Sequence, residues 1–228
     1  KDSLCILEEE KEKYVFLFTS TRRIKKFSVD PLVKDLIIEL KNEKRESAIL
    51  ENMSSRYNPN IVRSCLNALE KEGIVQRCGP LKNQRYSKQM MFINELTSSW
   101  EETVELQNRI ENSSIAIFGV GGIGTWMVNS LYQIGIGELK ITDPDIVDES
   151  NLNRQLLFDS QDIGKYKVDV ICSKLKDAHI LSYKKKVSRE ENLDEIIKGC
   201  TFLVNCADSP SVAETTEIID NYARKYNI

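Results

Sequence analysis

Gly119-Val120-Gly121-Gly122-Ile123-Gly124 follows a short apolar run, Ile115 to Phe118. After it come Asp143-Pro144-Asp145, Asn151-Leu152-Asn153-Arg154-Gln155, Gly164-Lys165-Tyr166-Lys167 and Cys206-Ala207-Asp208. Residues without a Cβ let an anion approach backbone N–H groups closely, and a helix that starts at such a turn favours negative charge. An acid about twenty residues on can accept from ribose hydroxyls. A dinucleotide-binding turn needs only those two features and has no use for Asn-x-x-Arg directly after the acid, a further lysine and a late aspartate. Activation of ATP uses all of them, because cations and a metal ligand must neutralise phosphoryl oxygens.

The elements that would position these groups are legible from the apolar pattern. Ile115 to Phe118 reads as a strand running into the glycines, and Met127, Val128, Leu131 and Ile134 mark one face of the helix that follows. Gly135 is a helix stop, and Leu139-Lys140-Ile141-Thr142 is a second strand that delivers Asp143 at its carboxyl end. Lys167 stands at the start of a later helix, and Asp208 follows a fourth strand ending at Asn205. The fold class is therefore α/β, a Rossmann-like parallel-core sheet. Arg154 and Lys167 read alternatively as solvated surface charges, and Asp208 as a helix N-cap ahead of Ser209-Pro210.

This ordered set resembles the E1-like adenylyltransferases, the family of the molybdopterin- and thiamine-pathway activating proteins and the ubiquitin-activating enzymes. The resemblance runs from about Gln84 to Ile228. It implies that Gly119, Gly121, Gly122 and Gly124 pack against ATP, with Asp143 on the ribose and Asp145 and Gln155 in the same nucleotide site. It further implies that Asn151 and Arg154 contact phosphates, that Lys167 lies at the α-phosphate, and that Asp208 holds Mg²⁺. The element Arg85-Tyr86-Ser87-Lys88-Gln89 departs from the family's Arg-Tyr-x-Arg-Gln. In relatives the second basic residue reaches a neighbour's ATP across a homodimer, and Lys88 keeps its charge without the planar fork. The catalytic set implied is Arg154, Lys167, Asp208 and, in trans, Lys88.

Residues 1–82 carry a different pattern, and the adenylation domain is assigned to residues 83–228. Leu4 to Leu7 and Tyr14 to Phe18 read as strands around a charged turn. Asp30-Pro31 and Asn58-Pro59 each pair an N-cap with a first-turn proline, ahead of helical faces at Leu32, Val33, Leu36, Ile37, Leu40 and at Ile61, Val62, Cys65, Leu66, Leu69. A shorter helix is expected at 48–53, and a return strand at Ile74-Val75 after Gly73. Together these make a small winged-helix α+β domain. Its near balance of bases and acids argues against nucleic acid. It resembles instead the peptide-recognition domain of enzymes that modify ribosomally made peptides, in which a leader segment adds a strand to a sheet edge beside the third helix. The fusion points to the branch of the family serving microcin C and pantocin A maturation. The implied function is ATP-dependent adenylation of a carboxylate on a ribosomal precursor peptide in antibiotic biosynthesis. Two alternatives are activation of a ubiquitin-like sulfur carrier and a non-catalytic leader-docking subunit.

At 228 residues, with 29% charged and 41% hydrophobic residues and a net charge of −3, the chain has room for two cores. It contains no membrane-spanning run and no signal-peptide order, so a cytoplasmic location is expected. Six cysteines without a C-x-x-C spacing indicate neither a disulfide framework nor zinc. Cys206, after Phe202-Leu203-Val204, reads as a packed strand-end thiol rather than a nucleophile. His179, at an expected helix end, is assigned no role. Four strands make a half-wound sheet, so the chain is expected to belong to a longer protein, where relatives often carry a four-cysteine Zn²⁺ site.

Overall fold

The computed structural model describes residues 4–228. It divides into two compact units, one ending at Thr103 and the other running from Val104 to Ile228. In the first, β1 (Leu4–Glu10), β2 (Lys13–Phe18) and β3 (Arg23–Ser28) form an antiparallel sheet in the order β1-β2-β3. Strand β2 buries Tyr14, Phe16 and Phe18 on one face, as the two-residue period requires. Helices α1 (Pro31–Glu39), α2 (Glu46–Met53) and α3 (Pro59–Lys71) cover that face with Leu32, Leu36, Ile49, Met53, Val62, Leu66 and Leu69. Both caps form as their chemistry predicts: Asp30 accepts from the N–H of Val33, and Asn58 from that of Asn60.

One expectation for this unit fails, and one strand carries little sequence signal. Arg23–Ser28 is a strand, though its only large apolar residues, Ile24 and Phe27, lie three apart and suggest no alternation. Ile74-Val75 is not a strand. The N–H groups of both residues bond the carbonyl of Leu69, so the segment closes the C-terminal turn of α3 around Gly73 at φ +72°. Ile74 is buried in the core all the same. Helices α4 (Ser87–Leu96) and α5 (Trp100–Glu111) follow.

The second unit is built on four parallel strands, β4 (Ser114–Phe118), β5 (Glu138–Thr142), β6 (Ile180–Tyr183) and β7 (Phe202–Asn205), in the order β6-β5-β4-β7. The connecting helices are α6 (Gly122–Ile134), α7 (Lys167–Lys174), α8 (Asp194–Ile197) and α9 (Val212–Tyr226). Alternate residues of β4 feed two separate cores: Ile115 and Ile117 pack with Val128, Leu139 and Ile171, and Ala116 and Phe118 with Ile196, Ile218 and Ile219. A strand buried on both faces is the mark of a parallel sheet covered on each side. Successive strands run outward from β4 through β5 to β6, and β7 then joins β4 on the opposite edge. That reversal opens a crevice at the carboxyl ends of the strands. No helix among the described residues is long and apolar enough to cross a membrane.

Candidate functional site

A cleft of about 680 Å³ lies at this reversal, a size suited to a small-molecule ligand. Its wall takes Gly119 from the end of β4, Gly121 and Gly122 from the start of α6, and Asp143 and Asp145 from beyond β5. Asn151, Arg154, Gln155 and Lys167 join from the crossing segment, and Cys206, Ala207 and Asp208 from beyond β7. Gly124 is not part of the lining. A Cβ at position 124 would stand 2.0 Å from the carbonyl oxygen of Gly119, so this glycine lets α6 close against the turn. Gly119 adopts φ +87°, and a Cβ there would meet the backbone of Ala207 at 2.9 Å. These two glycines hold β4, α6 and the end of β7 together, and Gly121 and Gly122 face the open space.

Asp143 is 6% exposed and anchors the loop. One carboxylate oxygen accepts from the N–H of Val120 at 2.8 Å and the other from that of Asp145 at 2.9 Å. Burial pushes its pKa above the usual aspartate value, against the opposing effect of those two N–H groups and Lys167. Asp145 stands in the open, and its carboxylate accepts from Lys167 Nζ at 2.8 Å. The backbone N–H of Lys167 also bonds the Asp145 carbonyl, and the ammonium lies 4.0 Å from Asp143. Lys167, at the first position of α7, is 5% exposed, so the alternative of a solvated surface charge fails for it.

Asn151 is buried, and its side-chain oxygen closes a capping box with Asp148, accepting from that residue's N–H at 3.1 Å. Its amide NH₂ is the group left to donate into the cleft. Arg154 is exposed, with one guanidinium nitrogen on the carbonyl of Ser150 and the side chain of Asn153. Gln155 is 5% exposed, yet its Oε1 is buried with no hydrogen-bond partner among the described residues.

Asp208 is exposed on the wall and does not cap a helix. Ser211 takes that role for α9, accepting from the N–H of Glu214. No cluster of three or more His, Cys, Asp or Glu that could hold a metal exists among the described residues. A single exposed carboxylate on the cleft wall suits Mg²⁺, which keeps waters and shares its shell with phosphate oxygens. The glycine wall and the cationic flank fit ATP as well. Cys206 is half-buried and packs with the core, and burial raises its thiol pKa, as expected of a packed residue. His179 precedes β6 rather than ending a helix, and its Nδ1 lies 3.4 Å from Glu138. All six cysteines are free.

Lys88 is exposed on the first turn of α4 and belongs to the other unit. Lys185 and Lys186, just beyond β6, also line the cleft and went unnoticed in the sequence. Their only signal was a lysine run after a weak strand.

Comparison with known proteins bears on the family and the fold. The ThiF family matches over residues 86–228. Among curated relatives, the adenylyltransferase and sulfurtransferase Uba4 of Aspergillus niger is 28% identical over 180 residues, 76% of this chain and 34% of the relative. That of Lodderomyces elongisporus is 30% identical over 183 residues, 77% of this chain and 38% of the relative. This chain thus spans little more than a third of the length of such relatives. Among solved structures, PaaA superposes with a TM-score of 0.76 at 22% identity, covering 99% of this chain and 70% of PaaA. The Escherichia coli MccB complex with ATP gives 0.71 at 20%, covering 98% and 66%, and MccB is described as a microcin C7 biosynthetic enzyme.

Proposed function

The chain belongs to the ThiF family, and from that premise we propose that it adenylates a carboxylate on a ribosomally made precursor peptide, with ATP as co-substrate. The observation that carries this reading is one cleft bringing together Gly121, Gly122, Arg154, Lys167 and Asp208 at the strand-order reversal. A carboxylate oxygen would bond the α-phosphorus as the bond to the β-phosphate bridging oxygen breaks, giving an acyl adenylate and pyrophosphate. Negative charge then spreads over the phosphoryl oxygens, where Arg154 and Lys167 act as fixed cations and Asn151 as a neutral donor. Asp208 would hold Mg²⁺, whose chemistry is to neutralise the departing pyrophosphate. Asp143 fixes the loop and keeps a lone pair on each oxygen for ribose hydroxyls. Lys88 would act in trans within a homodimer, as the resemblance implies.

The choice of a peptide acceptor rests on the first unit. The fold likeness to PaaA and MccB extends through it, over 98–99% of the chain, whereas the ThiF match begins at residue 86. Among the described residues strand β3 is paired on one side only, and Lys25 on it bonds both the carbonyl and the carboxylate of Glu72 at the end of α3. An extended leader peptide added there would lie beside that helix. A second reading, activation of a ubiquitin-like carrier, is favoured by the Uba4 relatives and would not need this edge.

The test is acceptor-dependent pyrophosphate–ATP exchange. Exchange with a short peptide encoded beside the gene, lost in Asp208→Ala, is the expected result. Exchange only with a carrier ending in Gly-Gly would transfer the activity to sulfur-carrier chemistry.

A further inference from the structure

Thr125 lies one turn inside α6, is fully buried, and is the polar side chain closest in sequence to the glycine turn. Its hydroxyl donates back to the carbonyl of Gly121 at 2.9 Å and lies 3.3 Å from that of Gly122. That bond alone is the ordinary habit of a threonine within a helix. The same oxygen also accepts from the backbone N–H of Leu156 at 3.2 Å, across 31 residues of sequence. Leu156 directly follows Arg154 and Gln155, so one hydroxyl joins the carbonyls of the phosphate-facing glycines to the segment bearing the Arg154 cation and the Gln155 side chain.

The neighbouring side chains lie where this fastening would set them. Arg154 Cγ and Cδ are 3.9 Å from where a Cβ on Gly122 would stand, and Gln155 Nε2 is 3.9 Å from the corresponding point on Gly121. We propose that Thr125 is a positioning residue that holds Arg154 and Gln155 in register with the glycine turn for binding the phosphates of ATP. This rests on the ATP-dependent reading above. Without the hydroxyl the Leu156 N–H loses its acceptor and the segment is free to shift, and an error of about 1 Å in a charged group is enough to degrade phosphate recognition.

The experiment is calorimetric titration of the wild-type protein, Thr125→Val and Thr125→Ser with MgATP and, separately, with adenosine, alongside thermal melts. Valine keeps the shape and removes the hydroxyl, and serine restores it. Thr125→Val is expected to weaken MgATP binding about tenfold and to change adenosine binding less than about threefold, with Thr125→Ser matching wild type. The proposal falls if Thr125→Val binds MgATP normally, if both ligands weaken alike, or if serine does not restore binding. Thr125→Ala, which brings no extra methyl to the contact, is read the same way should the valine variant not fold. Failure of the wild-type protein to bind MgATP would instead remove the function proposed above, and a normal wild type with an indifferent Thr125→Val removes this inference alone.

Discussion

Lys167 shows how a cation can be kept ready in a nearly dry place. Its ammonium is held by Asp145 and lies near Asp143, while its own backbone N–H is fixed by Asp145 as well. These contacts hold the ammonium in one orientation, and one of its three N–H donors is spent on Asp145, which leaves the others for a phosphate oxygen. Lys167→Met should slow pyrophosphate–ATP exchange on the order of 10²-fold at saturating ATP, and an unchanged rate would release Lys167 from any part in it. The family resemblance implied that Asp143, Asp145 and Lys167 share one nucleotide site, but a motif carries no hydrogen-bond direction. That both Asp143 oxygens serve backbone N–H groups, and that the Asn151 side-chain oxygen serves a cap, follows only from the folded path of the glycine turn and of residues 143–155. Thr125 escaped notice for a similar reason, since a threonine inside a helical pattern has an ordinary local explanation.

The glycine turn and the elements it joins behave as one unit. Gly124→Ala would push a methyl into the Gly119 carbonyl, a backbone atom with nowhere to go. It should cost about 3 kcal/mol of stability or prevent folding, measured by denaturant titration. A fully stable alanine variant would mean that α6 can retreat from β4. The strand–turn–helix here was legible because apolar period and glycine punctuation agree over twenty residues. Strand β3 was not, because an edge strand needs burial on one face only and its Arg23-Ile24-Lys25-Lys26-Phe27 sequence supplies little. Ile74-Val75 misled in the opposite sense: two apolar residues after a helix reach the core from a turn as readily as from a strand.

Across the whole molecule the acid limit of stability should be sensitive to one surface-proximal cluster. Asp162 is buried, which pushes its pKa up, but Lys174, the N–H of Asp159 and Lys165 outweigh that and hold it below the ordinary 3.8. Asp159 is likewise lowered, chiefly by Lys174. A depressed carboxylate gives stability that is present above pH 3.8 and lost as pH falls through the folded value. Lys174→Met should therefore move the acid-unfolding midpoint to higher pH, read by circular dichroism, and an unmoved midpoint would leave the cluster without weight. Three of the four parallel strands were readable from apolar runs and β6 only as a count, and their spatial order was not readable, because nothing local says that β7 pairs with β4. That pairing also has a consequence in time. Ile115 of β4 meets its partner Phe202 only after 202 − 115 = 87 more residues have been made, an interval of roughly 4 to 17 s at the ribosome. Until then the apolar strand β4 has one bare edge, so the nascent chain is exposed to aggregation, and to capture by chaperones, until β7 emerges.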